Sequence, residues 1–157
     1  MDHGPSTEQL REAGLRVTAG RVAVLHALDD LEGVHPDVAQ IVAAVRRQLG
    51  SISIQAVYDA LDALGKAGLV RRIEPAGHPA RFESRTGDNH HHVVCRSCGA
   101  TADVDCVVGS APCLSPAAAP GFTIDEAEIT FWGICPSCQG PSHPKVRSPH
   151  PDKATRR

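Results

Sequence analysis

Two Cys-x-x-Cys pairs constrain this chain more than any other feature of its sequence. They are Cys95 with Cys98 and Cys135 with Cys138, and 36 residues separate them. Two residues between thiolates allow both sulfurs to bind one tetrahedral ion, at about 2.3 Å per zinc–sulfur bond. Two such pairs complete a four-sulfur site with no open position, which is typical of structural zinc. The fold must therefore bring two distant segments together, with a strand and a loop between them.

The N-terminus and the six cysteines give information about the cellular compartment of the protein. The N-terminal stretch MDHGPSTEQL is polar, unlike a secretory signal, and no apolar run approaches the ~20 residues that span a bilayer. We therefore expect a cytoplasmic protein without a membrane segment. In a reducing compartment, cysteines are interpreted first as metal ligands or redox thiols and only then as disulfides.

Other interpretations of the cysteines remain open. The CPSC stretch alone resembles a redox dithiol, although such motifs sit at a strand-to-helix junction and nothing helical follows Cys138. Cys106 and Cys113 are interpreted as small buried or solvent-facing thiols, because nothing nearby is clearly electropositive. A redox-responsive role is their alternative, and the sequence does not show whether they pair.

The first half of the chain has helical periodicity. Six residues have the positions of helix caps, first-turn residues or helix stops: Ser6, Thr18, Ser53, Pro36, Gly14 and Gly68. Two short strand-like runs, 69–73 and 80–84, then flank a turn rich in proline and glycine. Several helices followed by a hairpin predict a winged helix-turn-helix.

The second half predicts strands at 92–95, 100–105 and 122–134, with a broken period-two pattern in the last. The charge also changes along the chain. Residues 87–138 carry one Lys/Arg and six Asp/Glu, whereas residues 139–157 carry five and one. Such asymmetry suggests parts with different functions. The final segment has four prolines and almost no apolar residues, so we expect it to be disordered.

Three consecutive histidines precede the first cysteine pair. Strand alternation sends His90 and His92 to one face and His91 to the other. With Asp103 on the neighbouring predicted strand, the first two match part of a metal site. A surface or hydrogen-bonded role is the alternative for each histidine taken alone.

These motifs together resemble the ferric uptake regulator (Fur) family. They are LREAGLRVTAGRVAVLHAL, GVHPDVAQIVAAV, SIQAVYDALDALGKAGLV, RFES, HHHVVCRSCG and CPSC, and they cover about Glu8 to Cys138. DNHHHVVCRSCGATADVDC and EAEITFWGICPSC are most similar to the actinobacterial peroxide-responsive members that repress catalase-peroxidase genes. The resemblance implies an α+β fold: an N-terminal winged helix-turn-helix followed by a small α/β dimerisation domain with a four-cysteine zinc site.

The resemblance also implies domain boundaries. Residues 1–86 would form the winged-helix DNA-binding domain with its hinge, and residues 87–138 the dimerisation and metal-sensing domain. Residues 139–157 would be a basic tail.

Metal ligands follow from the resemblance, position by position. It makes Cys95, Cys98, Cys135 and Cys138 the ligands of structural Zn(II). It assigns the regulatory ion to His35, Glu83, His90, His92 and Asp103. Nitrogen and carboxylate ligands suit Fe(II), with Mn(II) or Zn(II) as alternatives. A second family metal site is not expected, since Ala127 stands at one of its ligand positions; His91 is then a surface or hydrogen-bonding residue.

The implied function is a metal-dependent, homodimeric repressor of palindromic, AT-rich double-stranded operator DNA. Asp103 matches peroxide-sensing relatives, in which iron-catalysed oxidation of a ligand histidine releases DNA, although Glu83 stands where some of them have aspartate. The alternatives are a repressor that responds to zinc, nickel or iron availability and, further off, a zinc-dependent or thiol redox enzyme. We expect no enzyme, because no H-x-E accompanies P-C-x-x-C and four sulfurs leave zinc no open position.

The helix after Ser53 is expected to enter the DNA groove. Seven residues are candidate DNA contacts: Tyr58, Gln55, Ala56, Arg16, Arg21, Arg71 and Arg72. The arginines would contact phosphate, although a solvated surface explains any one of them equally well. Val57 is expected in the core. Asp59 and Asp62 would repel phosphate, so their side chains are expected to face away from the DNA backbone.

Overall fold

The computed structural model describes residues 4–31, 33–84, 86–107, 113–117, 119–124 and 127–140. Four helices come first: α1 Gly4–Glu12, α2 Ala19–Asp30, α3 Val38–Leu49 and α4 Ile54–Lys66. Strands β1 Arg71–Ile73 and β2 Arg81–Glu83 form an antiparallel hairpin. Strands β3 His90–Cys95, β4 Thr101–Asp105 and β5 Thr130–Gly133 form a separate sheet. We call residues 4–84 the helical part and residues 86–140 the sheet part.

Hydroxyl side chains cap two helices where the sequence predicts it. Thr18 Oγ1 accepts a hydrogen bond from the Arg21 N–H at 3.3 Å, and Ser53 Oγ accepts one from the Ala56 N–H at 3.1 Å. Each bond satisfies a backbone donor that has no partner within the first turn. Gly14 and Gly68 follow α1 and α4 with positive φ, as expected for helix stops.

Two predicted helix starts are wrong. Ser6 lies buried inside α1, which begins at Gly4. Pro36 lies outside α3, because Asp37 rather than the proline begins that helix. The Asp37 carboxylate accepts from the Gln40 N–H, and the Gln40 side chain accepts from the Asp37 N–H, both at 2.9 Å. This reciprocal pair satisfies two donors at once, which places the first helical residue after Asp37.

The helical part has a hydrophobic core of its own. Its buried apolar residues run from Leu10 in α1 to Phe82 in β2, and α2, α3 and α4 supply most of them. Val57 is fully buried, as expected. Since each fully buried Val, Leu, Ile or Phe contributes roughly 1.5–3 kcal/mol, this cluster is sufficient to hold the helices and the hairpin together.

The sheet part has the order β4-β3-β5, with β3 antiparallel to β4 and parallel to β5. Among its described residues only Val94, Cys95 and Cys138 are buried and apolar. The strand predicted over 122–134 forms only as β5. Residues 122–124 and 127–129 are not strand, and Phe122 is 78% exposed. Pairing with β3 is confined to Thr130–Gly133, which lie opposite His92 to Cys95.

No helix among the described residues is both long enough and apolar enough to cross a membrane. The predicted basic tail lies outside the described residues from position 141 onward.

Candidate metal centres and DNA-binding surface

The two cysteine pairs meet at one end of the sheet. Cys95 ends β3 and Cys98 lies in the turn that follows, while Cys135 precedes and Cys138 ends a short 3-10 turn after β5. The four sulfurs lie within 4.8 Å of one another, and Cys98 Sγ is 3.6 Å from Cys135 Sγ. Parallel pairing of β5 with β3 places Gly133 opposite Cys95, which brings the distant pair into place.

The environment of these sulfurs fits a bound cation. Burial alone would raise the pKa of the Cys95 thiol, but backbone N–H donors from Cys135, Cys98 and Ser97 lower that pKa to about 6. The Cys135 N–H lies 3.3 Å from Cys95 Sγ. A hydrogen bond from Ser97 would lower the pKa of Cys138. Hydrogen bonds with the neighbouring cysteines, together with burial, outweigh the effect of Ser97 and raise the pKa of Cys138 to about 12. The sulfurs thus compete for protons, which a tetrahedral zinc ion would displace.

A second cluster joins the helical part to the sheet part. His35 precedes α3 and Glu83 ends β2, while His90 and His92 lie on β3 and Asp103 on β4. In the order His35, His90 and His92, the Nε2 atoms lie 3.0, 3.1 and 3.4 Å from the same oxygen, Glu83 Oε2. In the same order, they lie 2.8, 3.7 and 3.8 Å from Asp103 Oδ1. The structure therefore brings all five predicted regulatory ligands together.

His35 reaches this cluster through an unusual backbone conformation. Its φ is +51°, which makes it the one non-glycine residue with positive φ among the described residues. The left-handed region disfavours L-residues by about 1–2 kcal/mol. Two bonds hold the segment: the Phe82 N–H donates to Pro36 O at 3.0 Å, and Arg81 Nη1 donates to His35 O at 3.3 Å. The hairpin therefore fixes His35 in the cluster.

Burial and charge act against each other in this second cluster. Burial would raise the pKa of Glu83, but hydrogen bonds from His35, His92 and His90 hold it well below its usual range. Burial would lower the pKa of His35, but the Glu83 hydrogen bond and the charges of Asp103 and Glu83 raise it. The pKa of His35 is thus raised and that of Glu83 lowered, because each side chain favours the charged form of the other.

A buried carboxylate oxygen indicates that this cluster fits a metal ion. Glu83 Oε1 is buried and makes no hydrogen bond within the described part of the chain, and Arg71 Nε lies 3.9 Å from it. By contrast, His90 Nδ1 lies 2.7 Å from Asp88 Oδ1, and a carboxylate at that nitrogen orients the ring so that Nε2 faces the cluster. Sequence reasoning did not single out Asp88, although its place two residues before His90 on the same face could have indicated it.

Tyr58, Gln55 and Ala56 are exposed near the start of α4. Among the candidate phosphate contacts, Arg16 and Arg72 are exposed, whereas Arg21 and Arg71 are half-buried. Arg21 Nη1 donates to Arg16 O at 2.8 Å, and Arg72 Nη2 pairs with Glu74 at 2.6 Å.

Acidic residues share this surface. Asp59 and Asp62 are exposed and line the same groove as Tyr58, between α4 and the hairpin. Asp59 accepts from Gln55 Nε2 at 2.8 Å, and Asp62 pairs with Lys66 at 2.7 Å. Lys66 thus offsets the charge of Asp62, whereas Asp59 is paired with a neutral amide.

Comparison with known proteins gives one consistent result. The model described as "Ferric uptake regulator family" matches residues 12–131. The chain is 60% identical over 131 residues to the transcriptional regulator FurA of Mycobacterium tuberculosis, covering 83% of this chain and 88% of that protein. It is 28% identical to the peroxide operon regulator of Bacillus subtilis, covering 83% and 89%. The solved structure of the Vibrio cholerae ferric uptake regulator superposes with a TM-score of 0.65 at 28% identity, covering 82% of this chain and 98% of that one.

The chain therefore belongs to the ferric uptake regulator family. It is a Fur-type, metal-responsive transcriptional regulator, not an enzyme. Its strong similarity to mycobacterial FurA confirms the predicted family, and the superposition confirms the predicted α+β fold with its four-cysteine cluster. Regulators of this family bind operator DNA as dimers, and a His/Glu/Asp metal site beside a four-cysteine site is typical of them.

Proposed function

We propose that this chain is a cytoplasmic, homodimeric repressor that binds palindromic, AT-rich operator DNA when Fe(II) occupies the second cluster, and that peroxide releases it. One observation carries the proposal. Three imidazole nitrogens and two carboxylate oxygens, drawn from both parts of the chain, converge within hydrogen-bonding or near-hydrogen-bonding distance. The ligands would be His35, Glu83, His90, His92 and Asp103.

The four-cysteine cluster would hold Zn(II) in a purely structural role. Its sulfurs come from the ends of β3 and β5, so the ion would fasten those strands where the sheet part has little apolar core. A closed four-sulfur site leaves no position for a substrate or an exchangeable ligand.

The regulatory ion would control the orientation of the helical part relative to the sheet part. His35 and Glu83 belong to the helical part, which carries the DNA-binding surface, and the other three ligands belong to the sheet. An ion that binds all five restrains the helical part relative to the sheet, and its binding free energy favours that one arrangement. In a dimer, the arrangement sets the distance between the two α4 helices, which must match successive major grooves.

Apolar exposure supports dimerisation through the sheet part. Five large apolar side chains there are at least 40% exposed: Val107, Leu114, Phe122, Ile124 and Phe131. A part that buries three apolar residues among those described, and exposes this much apolar surface, gains stability by pairing with a second copy.

Peroxide sensing would follow from the ligand set. Fe(II) held by these five ligands would supply redox catalysis beside the imidazoles, with peroxide as the two-electron oxidant. The net change is one oxygen gained by a ligand histidine and one water released from peroxide. An oxidised ring is a poorer ligand, so the ion would leave and the two parts would lose their fixed orientation. His35 or His90 is the proposed target, and the similarity to a peroxide operon regulator supports this response.

The repressor proposal is tested by retardation of palindromic, AT-rich duplexes at a stated salt concentration, with a GC-rich duplex of equal length as control. We expect retardation that requires added metal and that a chelator reverses. Absence of retardation with every divalent ion tried would reject the proposal.

Peroxide sensing has a separate test. The Fe(II)-loaded protein is exposed to micromolar peroxide, and its tryptic peptides are weighed. We expect one added oxygen on residues 22–46, which carry His35, or on residues 86–96, which carry His90. Residues 73–81, which carry His78 away from the cluster, serve as the internal control. Unchanged peptides with persistent DNA binding would reject peroxide sensing and favour a repressor that responds to metal availability.

A further inference from the structure

A third group of metal-binding side chains lies on the face of β3 opposite His90 and His92. It consists of His91, Cys106 and Cys113, whose donor atoms lie within 4.8 Å of one another. His91 Nε2 is 3.1 Å from Cys113 Sγ. His91 is buried at 4% exposure, so it is not the surface residue that the family comparison allows, and the hydrogen-bonding interpretation holds.

Strand register explains how three residues from separate segments meet. His91 pairs with Val104 across β3 and β4. Cys106 follows Val104 by two residues, so it leaves β4 on the side of the sheet that His91 occupies. Cys113 lies on the same side, since its sulfur contacts the His91 ring. Neither cysteine belongs to the four-sulfur cluster, and His91 belongs to neither of the other groups.

We propose that His91, Cys106 and Cys113 form a third metal site, which binds Zn(II) through one imidazole nitrogen and two thiolates. Donor atoms around a tetrahedral zinc ion lie roughly 3.5–3.8 Å apart, given bonds of about 2.3 Å to sulfur and about 2.0 Å to nitrogen. The observed separations require only small side-chain adjustments to reach this geometry. Three protein ligands leave a fourth position open.

The local chemistry selects a thiophilic ion. Thiolates favour Zn(II), whereas the His/Glu/Asp cluster has no sulfur and suits harder ions. His91 Nδ1 is buried and makes no hydrogen bond within the described ranges, so the ring has no competing polar partner on that side.

The site would tie the segment 113–117 to the sheet. Each of the other two metal groups joins separate segments, the cysteine cluster β3 to β5 and the His/Glu/Asp cluster the helical part to the sheet. The third group would fasten the chain beyond β4 in the same manner. Because its fourth position is open, its ion would exchange more readily than that of the closed four-sulfur site.

Zinc stoichiometry tests the proposal directly. The reduced full-length protein is titrated with Zn(II) against a chromogenic chelator, beside Cys106→Ser/Cys113→Ser and His91→Asn. His78→Asn is the control, because that histidine belongs to none of the three groups. We expect the wild type and the control to hold one equivalent more than either site variant. Equal stoichiometry in all four proteins would overturn the proposal.

Alkylation of the same samples identifies the residues and separates zinc from a disulfide. Cleavage before aspartate releases residues 105–124, which contain Cys106 and Cys113 and no other cysteine. We expect Zn(II) to protect both thiols from iodoacetamide, chelation to expose both, and His91→Asn to lose protection with its thiols intact. A fragment two hydrogens lighter, unreactive until reduced and indifferent to zinc, would mean a disulfide and would overturn the proposal. Circular dichroism confirms that each variant is folded.

Discussion

Glu83 shows at the scale of one residue how the second cluster is built. One of its oxygens lies within 3.4 Å of three imidazole nitrogens, and the side chain is almost fully buried. Its sequence neighbours give no sign of this, since an acid at the end of a short strand is ordinarily a surface residue. The partners His35 and Glu83 are 48 positions apart, so only the packed hairpin brings them together. Family resemblance identified both residues, whereas the residue pattern identified only His90, His92 and Asp103.

Replacing Glu83 tests its role as a shared ligand. We expect Glu83→Gln to weaken binding of Mn(II) at least about tenfold, since the amide loses the charge that holds three imidazoles and the ion. Glu74→Gln is the matched control, because Glu74 lies on the same hairpin connection with its side chain 66% exposed. Isothermal calorimetry measures both. Equal affinities for the two variants would show that Glu83 is not a ligand.

The raised pKa of His35 gives a pH dependence with a definite sign. In the metal-free protein, the contribution of His35 to stability is complete below its ordinary pKa of 6.5 and is lost as pH rises through the folded pKa. A ligand histidine must instead be neutral. We therefore expect the rise in Tm on adding Mn(II) to increase from about pH 6 to about pH 8. A larger rise at the acid end would contradict the assignment of His35.

At the scale of elements, the local chemistry of each segment decided which predictions succeeded. Thr18 and Ser53 cap helices because their hydroxyls meet an N–H three residues on, and such a pattern is visible in sequence. The prediction of a long strand over 122–134 was wrong, because alternation does not show how many residues pair with a neighbouring strand. The strand that forms, β5, has four residues, and all four pair with β3.

The turn after Cys98 offers a test of one such element. Gly99 has φ +74°, and a Cβ built there would lie 2.5 Å from the His78 ring of the hairpin turn. We expect Gly99→Ala to lower the free energy of unfolding by about 1–3 kcal/mol. Gly14→Ala should lower it less, because Gly14 has φ +70° with nothing nearby. Urea unfolding measures both, and adding His78→Ala should recover part of the Gly99→Ala loss. Equal losses for the two glycines would show that the hairpin does not contact this turn.

At the scale of the whole molecule, the two parts are stabilised by different means. The helical part has an extended apolar core, whereas the sheet part buries three apolar residues among those described. Sequence periodicity predicted the first, since helical apolar stripes are local. Cysteine spacing predicted the four-sulfur cluster of the sheet part, whereas strand alternation could not predict how few apolar residues its described strands bury.

Zinc removal should therefore act on one part only. We expect a strong zinc chelator, with the thiols kept reduced, to abolish amide protection in β3, β4 and β5 while the helical part stays protected in hydrogen exchange. Structural zinc contributes about 10–16 kcal/mol of folding free energy in zinc-finger peptides. Three buried apolar side chains, at roughly 1.5–3 kcal/mol each, contribute less than this. Elemental analysis first confirms that the zinc has been lost. Amide protection of the sheet that persists after this loss would contradict the account.

The most direct measurement concerns the ion that joins the two parts and its control of DNA binding. Operator retardation is followed against Mn(II) concentration for the wild type, Asp103→Asn and the control Asp105→Asn, which changes an exposed residue of the same strand. We predict that Asp103→Asn raises the half-maximal Mn(II) concentration at least about tenfold, while Asp105→Asn leaves it unchanged. Equal metal requirements in all three proteins, or retardation that needs no metal, would contradict the account.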